Sequence, residues 1–121
     1  MRLTEAQQER YARHLLLDEL GGEGQERLLS SCVRVRGTGR AARWAARYLA
    51  ASGIGALVLD DAAAAGECRE LSPDVRIISP RDLGRRPDLD LEVAAPASGR
   101  RPPAEVGAMA ALRALRQLGR P

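Results

Sequence analysis

Lysine, asparagine and phenylalanine are absent from this 121-residue sequence, aromatic residues make up only 2% of it, and it holds one histidine and two cysteines. Without lysine, Schiff-base chemistry and any other reaction that needs an ε-amine are excluded. Cys32 and Cys68 lie far apart with no CxxC pair, and His14 stands alone. That spacing argues against a structural zinc site and for two buried free thiols. A lone histidine of this kind reads as a packing or capping residue. No apolar run approaches a membrane span, and the N-terminus opens with polar, charged helix formers rather than a signal peptide, so a cytoplasmic protein is expected.

Apolar residues still reach 45% of the chain. With so few rings, the core must be filled by Ala, Leu, Val and Ile, which suits helices packed closely on a small sheet. The length fits one modest hydrophobic core. The formal charge is +3 and every basic side chain is Arg, spread among 16 acidic residues. Few aromatics are available for stacking on bases, so a solvated surface is expected rather than a nucleic-acid interface.

Thr4-Glu5-Ala6-Gln7 has the reciprocal pattern of a capping box and predicts a helix from about Glu5 to His14. Gly21-Gly22 breaks the chain before a second helix around Glu23 to Ser30. Together these form an N-terminal helical arm over residues 1–31, followed by a domain over 32–121 within a single folding unit. Cys32-Val33-Arg34-Val35-Arg36 reads as a strand that runs into Gly37-Thr38-Gly39, and a long helix then continues to about Ser52. Gly53-Ile54-Gly55 ends that helix, and Ala56-Leu57-Val58-Leu59 is a buried strand closing on Asp60-Asp61. Ala62 to Leu71 is expected to be helical, Val75 to Ile78 a third strand and Leu89 to Val93 a weaker fourth. A loop over Pro96–Pro103 leads to a final helix from about Ala104 to Leu118. The expected fold is α/β: a small Rossmann-like, mostly parallel sheet of about four strands flanked by helices.

In a dinucleotide-binding βαβ unit the first glycine permits a tight turn and the second lets the backbone approach a phosphate. A third small residue lets helix and strand pack closely. Gly37, Gly39 and Ala42 fit that scheme, and the helix N-terminus beyond them offers unpaired amides to an anion. Asp60 or Asp61 stands where the ribose-binding carboxylate belongs. Against a working site, Arg40 adds bulk at the turn, and Arg34 and Arg36 put charge into a strand that should be apolar if both sheet faces are covered. Either Arg36 pairs with Asp60 or Asp61, or one sheet face is open to water or a partner.

Glu9-Arg10-Tyr11-Ala12-Arg13-His14-Leu15-Leu16-Leu17, then Gly21-Gly22-Glu23-Gly24-Gln25-Glu26, then the Gly37 turn, closely resemble the start of the ThiF/MoeB/HesA family. Its members adenylate ubiquitin-like sulfur carriers. Tyr48 to Gly55 and the strand ending in Asp60-Asp61 continue the resemblance, and Glu105 to Pro121 is similar to the family's late helix, as in an internally shortened member. The resemblance implies ATP as the nucleotide, held by Gly37, Gly39, Arg40 and Asp60 or Asp61. It also implies that Arg13 reaches the phosphates of a partner subunit, in a homodimer or beside a complete relative, with a ubiquitin-like carrier as a further partner. The family's Ser-Asn-Leu-x-Arg-Gln stretch, nucleotide-contacting lysine, magnesium-linked aspartate, paired zinc cysteines and catalytic-cysteine loop have no matching segment here. Adenylation needs preorganised charge at the α-phosphate and pyrophosphate, so the expectation is a non-catalytic accessory or pseudoenzyme, with a minimal adenylyltransferase or a regulatory nucleotide-binding module as alternatives.

Arg13 has a second reading as a surface partner of Glu9 or Glu26. Trp44 shares one helical face with Ala41, Ala45 and Tyr48 and reads as core or dimer surface. Cys68 has only Arg69 beside it and lacks the activating base a nucleophile needs. Glu67, Glu70, Asp88 and Asp90 read as surface charge.

Overall fold

The computed structural model describes residues 7, 21–93 and 102–119. The expected first helix lies outside these residues apart from Gln7, which is helical, and so do Arg13, His14 and most of the loop before the last helix. The described elements run α1 (21–29), β1 (Cys32–Arg36), α2 (Arg40–Ala51), β2 (Ala56–Leu59), α3 (Ala64–Leu71), β3 (Arg76–Ile78), a 3₁₀ turn (Pro80–Asp82), β4 (Leu89–Glu92) and α4 (Pro103–Gly119). No described helix is long and apolar enough to cross a membrane.

The four strands form one parallel sheet in the order β3-β2-β1-β4. Alternation along β1 sends Val33 and Val35 to one face, and the register places Leu57 and Leu59 of β2 and Leu89 and Leu91 of β4 beside them. Helices α2, α3 and α4 all cover this face, in one core with Ala45, Leu49, Cys68, Ala111 and Leu115. The β1-α2-β2 and β2-α3-β3 connections step in the same direction, so right-handed crossover puts both helices on the same side. The return from β3 to β4 steps the other way and must cross the opposite face. It does so without an α-helix, through the 3₁₀ turn and Leu83, which packs with Cys32, Ala56, Val58 and Ile78.

Local chemistry sets the boundaries. Helix α2 ends in a Schellman motif, in which Ile54 N–H reaches the Leu49 carbonyl at 3.3 Å and Gly53 N–H reaches that of Ala50 at 3.2 Å. Leu49 and Ile54 are the buried apolar pair that accompanies such a cap. Helix α3 starts at Ala64 rather than Ala62 because the Asp61 carboxylate accepts the Ala63 N–H at 3.0 Å and turns the chain first. Strand β3 starts one residue late because Val75 N–H is spent on the Ser72 carbonyl at 3.1 Å. Asp88 fixes the start of β4: its carboxylate accepts the Cys32 N–H at 2.7 Å and its own N–H donates to the Cys32 carbonyl at 2.8 Å.

The tightest contact between elements is α2 against α4. Helix α2 buries Ala41, Ala42, Ala45 and Ala46, and α4 answers with Gly107, Ala110, Ala111 and Ala114. A Cβ on Gly107 would stand 2.5 Å from the Trp44 Cβ and 2.7 Å from both the Ala41 carbonyl oxygen and the Ala45 nitrogen. Two of those atoms are backbone and cannot swing aside. Alanine gains about 1 kcal/mol over glycine in helix propensity, but overpacking costs about 1–3 kcal/mol. Gly107→Ala is therefore expected to lower the urea midpoint, whereas the same substitution at Gly66, which has open space around it in α3, is expected to raise it or leave it unchanged.

Candidate functional site

Parallel pairing brings the C-terminal ends of β1 and β2 together, since Val35 lies opposite Leu59. The glycine turn and Asp60 therefore meet at one sheet edge, as required of a nucleotide-type βαβ unit. Gly37 and Gly39 have φ of 97° and 110°. With ψ at 178°, Gly39 occupies a region essentially closed to residues with a Cβ. It is also the N-cap of α2, with no side-chain cap and no acidic residue in the first turn. Space for a Cβ at Gly39 is open, so the turn presents bare backbone. Ala42, the third small position, is buried.

Asp60 is the carboxylate that faces this turn. Its Oδ2 accepts the Gly37 N–H at 3.1 Å, and its Oδ1 accepts Arg34 Nη2 at 3.0 Å and Nε at 3.3 Å. The Gly37 amide, then the Arg34 guanidinium, hold its carboxyl below the usual aspartate range. Asp61 is committed to the turn into α3, which separates two residues that the sequence leaves equivalent. A carboxylate offers about four lone-pair positions. Three donors are in place on Asp60, which leaves one acceptor position on Oδ2.

Arg36 does not pair with Asp60 or Asp61. It reaches the other way, across β4, in a two-pronged contact with Asp90: Nε to Oδ1 at 2.6 Å and Nη2 to Oδ2 at 2.8 Å. Asp90 holds the Arg36 guanidinium above its ordinary value and is itself held below the usual carboxylate range by Arg36. Arg34 and Arg36 are two residues apart in a strand and so share a face. It is the face opposite the α-helices, and its charge is balanced by Asp60, just past the end of β2, and by Asp90 of β4. The alternation of β1 signals that the two arginines share a face. Their partners depend on strand order and could not be read from it.

Arg40 is exposed and lines a cleft of about 490 Å³ between α2, α3 and the start of α4. Among the described residues no group of three or more His, Cys, Asp or Glu side chains is placed to hold a metal. Cys68 is fully buried, and burial, then the charge of Glu67, push its thiol up to about 11. A thiol in that state is a core residue and a poor nucleophile.

Residues 11–78, more than half of the chain, match the model of the ThiF family. The chain is 52% identical over 59 residues to the SAMP-activating enzyme E1 of Haloferax volcanii, a match covering 49% of this chain and 22% of that protein. It is 48% identical over 52 residues to the sulfur carrier protein ThiS adenylyltransferase of Escherichia coli (strain K12), covering 43% and 21%. With the vegetative HesA protein of Trichormus variabilis the identity is 46% over 57 residues, covering 47% and 22%. The matched region thus spans about a fifth of the length of these curated relatives.

Two outcomes follow for the solvent side and the core of this site. Because the folded Asp60 carboxyl is depressed, its stabilising effect is present above the unfolded value of about 3.9 and is lost as pH falls through the folded value. The melting-temperature gap between the wild type and Asp60→Asn should therefore be open at pH 7 and close as pH drops below about 4. Cys68 should resist iodoacetamide at pH 8 in the folded protein and react in denaturant; mass spectrometry of the alkylated chain reads both.

Proposed function

Because the chain belongs to the ThiF family, matched across residues 11–78, we propose that it is a nucleotide-binding accessory subunit of an adenylation system for ubiquitin-like carriers, and that it does not adenylate alone. The relatives named as a SAMP-activating enzyme and a ThiS adenylyltransferase point to that class of system. In this reading an adenine nucleotide sits on the Gly37 turn, with a ribose hydroxyl on the remaining acceptor position of Asp60 and a phosphate at the uncapped start of α2. The residues present fit that group: the backbone at Gly39 is bare and open, and a carboxylate held ionised stands beside it. Bound ATP would supply the adenylyl group. Gly37 and Gly39 admit the phosphate, Asp60 orients the ribose, and Arg40 sits at the entrance to the turn.

The observation that carries the non-catalytic half of the reading is the segment after Asp61. Ala62-Ala63 leads into α3, which opens with Ala64-Ala65, and no segment of the chain matches the family's Ser-Asn-Leu-x-Arg-Gln stretch. Alanine has no hydroxyl, amide or guanidinium to offer a phosphate. Removing one preorganised contact of that kind costs about a hundredfold or more in rate. An accessory role then places the remaining phosphate contacts on a partner, either a second copy or a complete relative, with Arg13 reaching across in return.

Calorimetry with ATP, AMP and NAD should show adenine-nucleotide binding that Gly39→Asp abolishes and Asp60→Ala weakens. Pyrophosphate–ATP exchange with the carrier's C-terminal peptide should stay at background. Added to a complete relative and its carrier, the chain should change the adenylation rate, and Arg13→Ala should remove that change. Exchange by the chain alone would establish a minimal adenylyltransferase instead, and no binding of any nucleotide would leave the turn as architecture.

A further inference from the structure

The register sets Arg34 of β1 beside Val58 of β2 on one side and Asp90 of β4 on the other. Arg34 does not pair with the carboxylate directly opposite it. Both oxygens of Asp90 are taken by Arg36, through Nε and Nη2, and Arg34 pairs instead with Asp60, two residues beyond Val58. The second arginine of the strand thus commits the first to the residue that faces the glycine turn.

The contact with Asp60 is one-sided. Nε and Nη2 of Arg34 both donate to Oδ1, at 3.3 and 3.0 Å, while the Gly37 N–H donates to Oδ2 at 3.1 Å. Each carboxylate oxygen has two lone pairs, so Oδ1 is fully engaged and Oδ2 only half. The torsion about the Cβ–Cγ bond of an aspartate is soft and two-fold, and a carboxylate anchored at one oxygen alone can turn and exchange the two. Anchored at both, the Asp60 carboxylate keeps its plane, and the same oxygen always faces the ligand side. The side chains of Arg34 and Asp60 are 23% and 27% exposed, so the pair is partly shielded from water while the carboxylate stays within reach of a ligand.

We infer that Arg34 is a positioning residue that closes Oδ1 to ligands, so that Asp60 reads a single hydroxyl of a nucleotide's ribose. The inference rests on the nucleotide reading of the Gly37 turn and adds a specificity to it. A free carboxylate beside a ribose can accept from both neighbouring hydroxyls, one on each oxygen. Here one oxygen is spent inside the protein, and the second hydroxyl finds no acceptor on Asp60. Arg34 acts only through Asp60 and touches no part of the nucleotide itself.

The test is calorimetric titration of the full chain with ATP, 2′-deoxy-ATP and 3′-deoxy-ATP. In the wild type one of the two deoxynucleotides should bind about tenfold more weakly than ATP, the loss of one hydrogen bond to a charged group. The other should match ATP. In Arg34→Gln the two deoxynucleotides should become alike, because both oxygens are open and the carboxylate can turn. Arg34→Lys keeps the cation but offers Oδ1 a point charge in place of the fork. It should narrow the gap without closing it, and it carries the test if circular dichroism shows Arg34→Gln unfolded. Arg76→Gln removes an equal charge from the same sheet face on β3 and should keep the gap intact; a general effect of charge or fold would move it. Equal affinities of the two deoxynucleotides in the wild type, or an unchanged gap in Arg34→Gln, would overturn the role of Arg34 and leave the nucleotide reading standing. Failure of the wild type to bind ATP at all would overturn both.

Discussion

The structure turns on how closely α2 can lie against its neighbours. With 2% aromatics the chain cannot fill a core with large rings, so contact must come from backbones approaching one another. Alanines on the inner face of α2 and Gly107 on α4 allow that approach. Dispersion falls steeply with distance, and a core of small residues is cohesive only when nothing larger than a methyl group stands between the helices. Because α2 is seated in this way, its N-terminus is fixed over the strand ends, which is the condition for any function of the glycine turn.

The same arrangement leaves the two sheet faces unequal. All three α-helices after β1 lie on the Val33 and Val35 face, while among the described residues the other is crossed only by the short β3–β4 return around Leu83. Charge in β1 is tolerable for that reason. Arg34 and Arg36 project from that second face and find Asp60 just past β2 and Asp90 on β4. The pairing with Asp60 has a further effect, since it holds the carboxylate ionised and aimed at Gly37 without using every lone pair. An arginine that looks like an intrusion into a buried strand thus becomes a support for the residue proposed to hold the ribose.

The functional reading joins these two facts. In the proposed function, the turn, the uncapped helix start and the carboxylate aimed at Gly37 are the place of a nucleotide, and the alanines after Asp61 bring no polar side chain to it. On the outer face of α2, Arg40, Arg43 and Arg47 share a cleft with Glu67.

The βαβ unit from Cys32 to Asp61 was legible in the sequence, and β1 and β2 have the bounds that alternation and the glycines indicate. Those signals are local: period-two hydrophobicity, a glycine turn and a helix stop all act within a few residues. The capping by Asp61 and the late start of β3 shifted boundaries by one or two residues, through side-chain and backbone hydrogen bonds that propensity does not register. Which aspartate faces the turn, which partners Arg34 and Arg36 take, and that Arg40, Arg43 and Arg47 share a cleft with Glu67 were decided only by tertiary structure. Those contacts join residues 24 to 54 positions apart, and their geometry follows from strand order and the packing of α3 beside α2. The chain itself fixed the elements and the small residues that let them approach; the fold decided which charges that approach brings together.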